Sequence, residues 1–248
     1  MALYLQASVG RGGVNRRDDV RALKLRLAEL GFGFFAMSAR ADPDLVAAIR
    51  LFQSIIAGRN RVGGDGRVDP GYVTHEYLDA ANAPQWTTMP LSGPGFVNYE
   101  AQDRKDRHDY GTSWLAQVIR AAGAVYDADY RQDNPAATPM TINDASLPRG
   151  GDTPDHGGHE TGLACDLRVP RRDGTAGGIR NPNTNRAYDR GAMRAQLRAL
   201  QGQELVDRVF FNDRVLVGEG LCSYLAGHGD HVHFQILPPA AVALPGRA

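Results

Sequence analysis

The chain has 248 residues, with 28 lysines and arginines against 28 aspartates and glutamates, so its formal charge is zero. That balance provides no basic face for nucleic acid and no electrostatic pull toward an anionic membrane. With 42% hydrophobic and 23% charged residues the composition is globular, and no apolar run reaches the roughly 18 residues needed to span a bilayer.

The opening MALYLQASVGRGG lacks a basic stretch followed by a sustained apolar one, so no ordinary secretory signal is expected. Val20, Leu23, Leu27 and Leu30 then recur at steps of three and four, the spacing of one buried helical stripe, and Gly31 is a natural stop. Asp42-Pro43 opens a second helix, with aspartate as cap and proline in the first turn; its stripe is Leu45, Ile49, Phe52 and Ile56. A short third helix carries Tyr77 and Leu78. These make a small three-helix domain over residues 8–80. Its one histidine, His75, is expected to be structural or solvated. Residues 81–95, ANAPQWTTMPLSGPG, show no helical or strand period and are expected to be a linker.

The second domain, residues 96–238, is mixed. Helices are expected over Thr112–Gly123 and Asp189–Gln201, and strands over Ala164–Val169, Val206–Asn212 and Asp230–Leu237. Strands and helices do not alternate regularly, which makes the fold class α+β rather than doubly wound. The polar run 170–186 is expected to be a long surface loop. Cys165 and Cys222 are too few for a disulfide scaffold, leaving either one bridge or two buried thiols.

Five of the seven histidines fall into two groups, His156 and His159 in PDHGGHETGLACD, and His228, His231 and His233 in GHGDHVHFQI. In HVHFQIL, Val232, Phe234 and Ile236 alternate with His231, His233 and Gln235, so the imidazoles share the strand face opposite the core. In LACDLRV, Asp166 is the one acid and faces away from Cys165 and Leu167. Burying a carboxylate there is costly unless it is paired or bound to a metal. Gly157, Gly158 and Gly162 permit a tight loop around His159. Two imidazoles and one carboxylate form a donor set that zinc accepts, with a fourth position open. No HExxH helix is present.

Two resemblances follow from these motifs. VGRGGVNRRDDVRALKLRLAELGFG, DPDLVAAIRLFQ and DGRVDPGYVTHEYLD together resemble the peptidoglycan-binding three-helix module, which implies cell-wall anchoring. HETGLACD, with the closing DHVH, resembles the LAS group of zinc peptidases. Within that group SLPRGGDTPDHGGHETGLACD and VDRVFFND look most like the penicillin-insensitive murein endopeptidases.

The second resemblance implies an antiparallel sheet with flanking helices and a Zn2+ site of His159, Asp166 and His233. It also implies catalytic roles among His231, Asp230 and His228, with the general base left open between them. His156 stands where many relatives have a serine, and its role as a substrate-binding residue is open. Arg149 and Arg168 flank the motif and could hold a substrate carboxylate. The implied activity is hydrolysis of an amide bond in the peptide stem or cross-link of peptidoglycan, with the D-alanyl cross-link favoured. A D-Ala-D-Ala carboxypeptidase and a non-catalytic zinc-containing wall-binding module are the alternatives.

Without a visible signal peptide, such an enzyme would reach the periplasm or wall as a phage endolysin or an injected toxin. A toxin would imply an immunity protein as partner.

Overall fold

The computed structural model describes residues 3–103, 107–153 and 157–240. Its N-terminal part carries three helices, α1 (Arg17–Glu29), α2 (Pro43–Ile56) and α3 (Val73–Asp79). Strands β1 (Val9–Gly10) and β2 (Arg67–Val68) pair antiparallel between them. The stripe of α1 is buried as expected, and the chain leaves it at Gly31 with φ at 87°. At the start of α2, Asp42 Oδ1 accepts the Leu45 N–H at 2.9 Å, and Pro43 takes the first turn, where no N–H is needed.

Residues 81–95, expected as a linker, are largely folded. β3 (Trp86–Thr88) pairs with β6 (Tyr110–Thr112), and β4 (Ser92–Gly93) with β5 (Phe96–Asn98). The Trp86 ring lies 5.8 Å from that of Phe32 and 6.4 Å from that of Phe34. Its indole N–H donates to the Pro148 carbonyl at 2.9 Å. Burying an aromatic ring of this size contributes roughly 1.5–3 kcal/mol, which favours a packed segment over a free tether. Proline and glycine mark turns equally well in linkers and between short strands, so composition could not separate the two.

The remaining elements are α4 (Ser113–Tyr126), β7 (Met140–Ile142), β8 (Ala164–Arg168), α5 (Arg190–Gln201), β9 (Val206–Phe210), α6 (Arg214–Gly218) and β10 (His231–Ile236). A π turn, Asp127–Arg131, extends α4. The main sheet has six strands in the order β4-β5-β7-β8-β10-β9. The expectation of a wholly antiparallel sheet is corrected at one place: β5 and β7 run parallel. This is possible because α4 lies between them in the chain and supplies the crossover that parallel strands require. The molecule is thus a mixed α/β protein with six helices among the described residues.

Helices α4 and α5 pack on each other and against β5 and β9 respectively. Cys165, Leu167, Val232 and Phe234 are buried in the core, and the period of two sends Asp166 and His233 to the opposite face. Both cysteines are buried free thiols, and burial pushes the Cys222 thiol up to about 12. Among the described residues no helix is long and apolar enough to cross a membrane.

Candidate metal centre

Two adjacent strands and one loop build the site. β8 and β10 are antiparallel neighbours, and their register places His233 directly opposite Asp166 and His231 opposite Arg168. Directly opposed residues have Cβ atoms about 4.5–5.5 Å apart, so the imidazole and carboxylate meet without backbone distortion. The third group, His159, comes from the glycine-bearing loop before β8. Gly158 has φ at 117° and Gly162 at 63°. A Cβ on Gly162 would lie 2.5 Å from Gly111 Cα, so this turn requires glycine for space as well as for conformation.

His159, Asp166 and His233 converge in a buried cluster. His159 Nε2 is 3.0 Å from His233 Nδ1 and 3.4 Å from Asp166 Oδ1, and His233 Nδ1 is 2.9 Å from Asp166 Oδ1. Zinc bonds of about 2.0–2.1 Å place neighbouring tetrahedral donors about 3.3 Å apart. The three donors therefore form one face of such a tetrahedron, and the residues fit a metal of this kind.

Electrostatics agree with the geometry. Burial would raise the Asp166 carboxyl, but the adjacent His159 and His233 imidazoles outweigh it and hold the group well below the usual carboxylate range. Burial lowers His233 below its ordinary value, against the pull of Asp166. An ionised carboxylate beside a neutral imidazole is the state metal binding requires. The Gln235 side-chain amide nitrogen lies 3.0 Å from His233 Nε2. Turned end for end, the amide would place its oxygen there to accept the Nε2–H and leave the Nδ1 lone pair for the centre.

The other predicted residues separate by position. His231 is partly exposed; its Nδ1–H donates to Asp230 Oδ1 at 2.8 Å, and its Nε2 lies 3.8 Å from Asp166 Oδ2. The His228 ring is 4.8 Å from that of His231 and 5.7 Å from that of His233. Arg168, Asp166, Asp230 and His231 line an open cleft of about 350 Å³, together with Asp144 and Arg180. The Arg168 guanidinium stacks on Tyr99, 3.8 Å from the ring centroid. Arg149 is exposed, with no hydrogen bond or ion pair to the cluster among the described residues. His156 lies outside the described residues. His75 is structural, as expected: its Nδ1 accepts the Gly71 N–H and its Nε2 donates to the Leu3 carbonyl.

Sequence reasoning missed the parts of Gln235, Asp144, Arg180 and Phe210, whose ring is 6.0 Å from that of His233. Gln235 alone carried a signal, since it alternates onto the histidine face. No protein-family model matches the chain, and no curated protein matches it.

Proposed function

We propose that this chain is a zinc-dependent peptidase that cuts amide bonds in the peptides of peptidoglycan, with the D-alanyl cross-link as favoured bond. The N-terminal helices would serve as the wall-binding element. The observation that carries this reading is the buried convergence of His159, Asp166 and His233 beside a cleft that also presents His231 and Arg168. The HETGLACD and DHVH motifs, with their likeness to the LAS group, direct it toward wall peptides.

In this reading His159 Nε2, Asp166 Oδ1 and His233 Nδ1 hold the metal. When bound, zinc polarises a carbonyl and brings the pKa of a water toward neutrality. The proton is moved by His231. Its Nδ1 is committed to Asp230, so in the neutral ring Nε2 carries the lone pair. Nε2 faces the cluster, where it accepts a proton and then returns it to the leaving amine. Asp230 orients the ring. The His228 and Phe210 rings flank one side of the centre, 5.8 Å from each other. Arg168, held flat by Tyr99, offers a fixed fork for a carboxylate of the substrate.

Purified cross-linked peptidoglycan incubated with the protein, with and without a chelator, tests the proposal by mass spectrometry. Chelator-sensitive conversion of dimeric to monomeric muropeptides is the expected result. Unchanged dimers that lose terminal D-alanine would make the chain a carboxypeptidase. Unchanged muropeptides with zinc bound would make it a non-catalytic wall-binding protein.

A further inference from the structure

Two of the three candidate ligands sit on neighbouring strands, where the sheet fixes them. His159 sits on a loop, and its position needs another source of order. The two residues after it reach into the N-terminal part of the chain. The Thr161 hydroxyl donates to the Arg59 carbonyl at 2.7 Å, and Glu160 Oε2 accepts the Val62 N–H, also at 2.7 Å. Thr161 is fully buried.

The segment these side chains hold is itself braced on α2. The Arg59 N–H donates to the Ser54 carbonyl at 3.0 Å, and Ser54 Oγ bonds both the N–H and the carbonyl of Gly63. Apolar contacts close the seam around it. A Cβ on Gly58 would meet Pro238 and Leu237, and one on Gly150 would meet Leu51 of α2 at 2.8 Å. On the sheet side Thr112 donates to the Gly162 carbonyl from both its N–H and its hydroxyl, each at 3.1 Å. The ligand loop is thus gripped from both parts of the molecule.

We propose that the helical part of the chain is a component of the metal centre, with Thr161 and Glu160 as positioning residues that fix His159 against the backbone of Arg59 and Val62. This rests on the metal-binding reading above, and assigns the helical part a second role beside wall attachment.

The full-length chain tests it through zinc affinity, measured by competition with a chromophoric chelator, and through the visible spectrum of the cobalt-substituted protein. Thr161→Val removes the hydroxyl at constant volume, and Glu160→Ala removes the second acceptor at a less buried position. Each is expected to weaken zinc binding about tenfold or more, in the range found for groups that orient a ligand. Each should also shift the cobalt absorption bands, while Thr161→Ser restores both.

Wild-type affinity and spectrum in both variants would overturn the proposal, even with a lowered melting temperature, since the contacts would then serve folding alone. Should Thr161→Val fail to fold, Glu160→Ala decides by the same criteria. That outcome leaves the metal-binding reading intact in a wild type that binds zinc. A wild type that takes up no zinc overturns both.

Discussion

Asp166 and His231 lie within one small cleft yet are asked to do different work. Asp166 is buried, held in its ionised form and opposite His233, so in the proposed reading its task is to hold a cation. His231 is partly exposed with one nitrogen tied to Asp230, so in the proposed reading its task is to carry a proton. Substitution should separate them. Asp166→Ala is expected to weaken zinc binding by about 100-fold or more and to abolish cleavage, because a donor is lost outright. His231→Ala is expected to keep the zinc while kcat falls about 100- to 10,000-fold, the usual contribution of a positioned acid–base group, with KM little changed. Metal analysis of the dialysed variants, beside muropeptide kinetics, checks both. Equal loss of zinc in the two would show that His231 is a ligand. The residue types were legible in the sequence, because the histidines cluster and Asp166 is a lone acid in an apolar run. The division of labour was not, since it depends on which nitrogen faces which neighbour.

Among the elements, α1 shows how periodicity can name a helix and still misjudge its face. The stripe Val20, Leu23, Leu27 was evident, but Lys24 falls within it and is fully buried. Its ammonium donates to the Ala36 carbonyl at 2.7 Å, to Ser38 Oγ at 3.2 Å and to Asp42 Oδ2. One lysine therefore ties α1 to the loop that precedes α2 and to the α2 cap. Lys24→Met keeps the apolar stem and removes those bonds. It is expected to destabilise the chain by about 2 kcal/mol, since Ala36 and Ser38 lose a charged partner while Asp42, still partly solvated, keeps its cap bond.

The effect should depend on pH. Burial would raise the Asp42 carboxyl, but Lys24 and the Leu45 N–H outweigh it and hold the group below its ordinary value. That stabilisation is full above about pH 4 and is lost as pH falls through the lower folded value. Denaturant titrations of the two proteins should therefore differ most near neutrality and less in acid, where the bonds of Lys24 to Ala36 and Ser38 alone remain. A constant difference at every pH would show that the ion pair with Asp42 contributes nothing and that the bonds to Ala36 and Ser38 carry the effect.

For the whole molecule, the question is whether the two parts behave as one. Buried residues form one continuous core from Leu3 to Ile236, with Trp86 standing between the helical aromatics and the Pro148 loop. Thr161 and Glu160 bond across the same boundary. A chain built this way is expected to unfold in one calorimetric transition, with equal calorimetric and van't Hoff enthalpies. Two resolved transitions would show that the helical part folds independently. The docking also changes what wall attachment would do. A long flexible tether raises the local concentration of substrate around a freely moving enzyme, whereas a docked helical part, if it binds the wall as proposed, would present it at a fixed orientation to the cleft.

The sequence by itself determined the elements whose evidence is local. The cap at Asp42, the helical periods of α1, α2, α4 and α5, and the alternation in β8 and β10 all depend on residues a few positions apart. The candidate donor set was named through the resemblance that two short motifs carry, and those motifs are local as well. Only the tertiary structure decided the short strands. β3 to β7 have two or three residues each, too few to show a period; β4 and β5 form a local hairpin, while β3 with β6 and β5 with β7 exist because partners far along the chain complete their hydrogen bonds. It also decided the packed state of residues 81–95, the parallel pair in the sheet, and the seam that joins Arg59 and Val62 to the loop of His159. These depend on hydrogen bonds and burial between residues tens of positions apart, and no local pattern of side chains encodes such a contact.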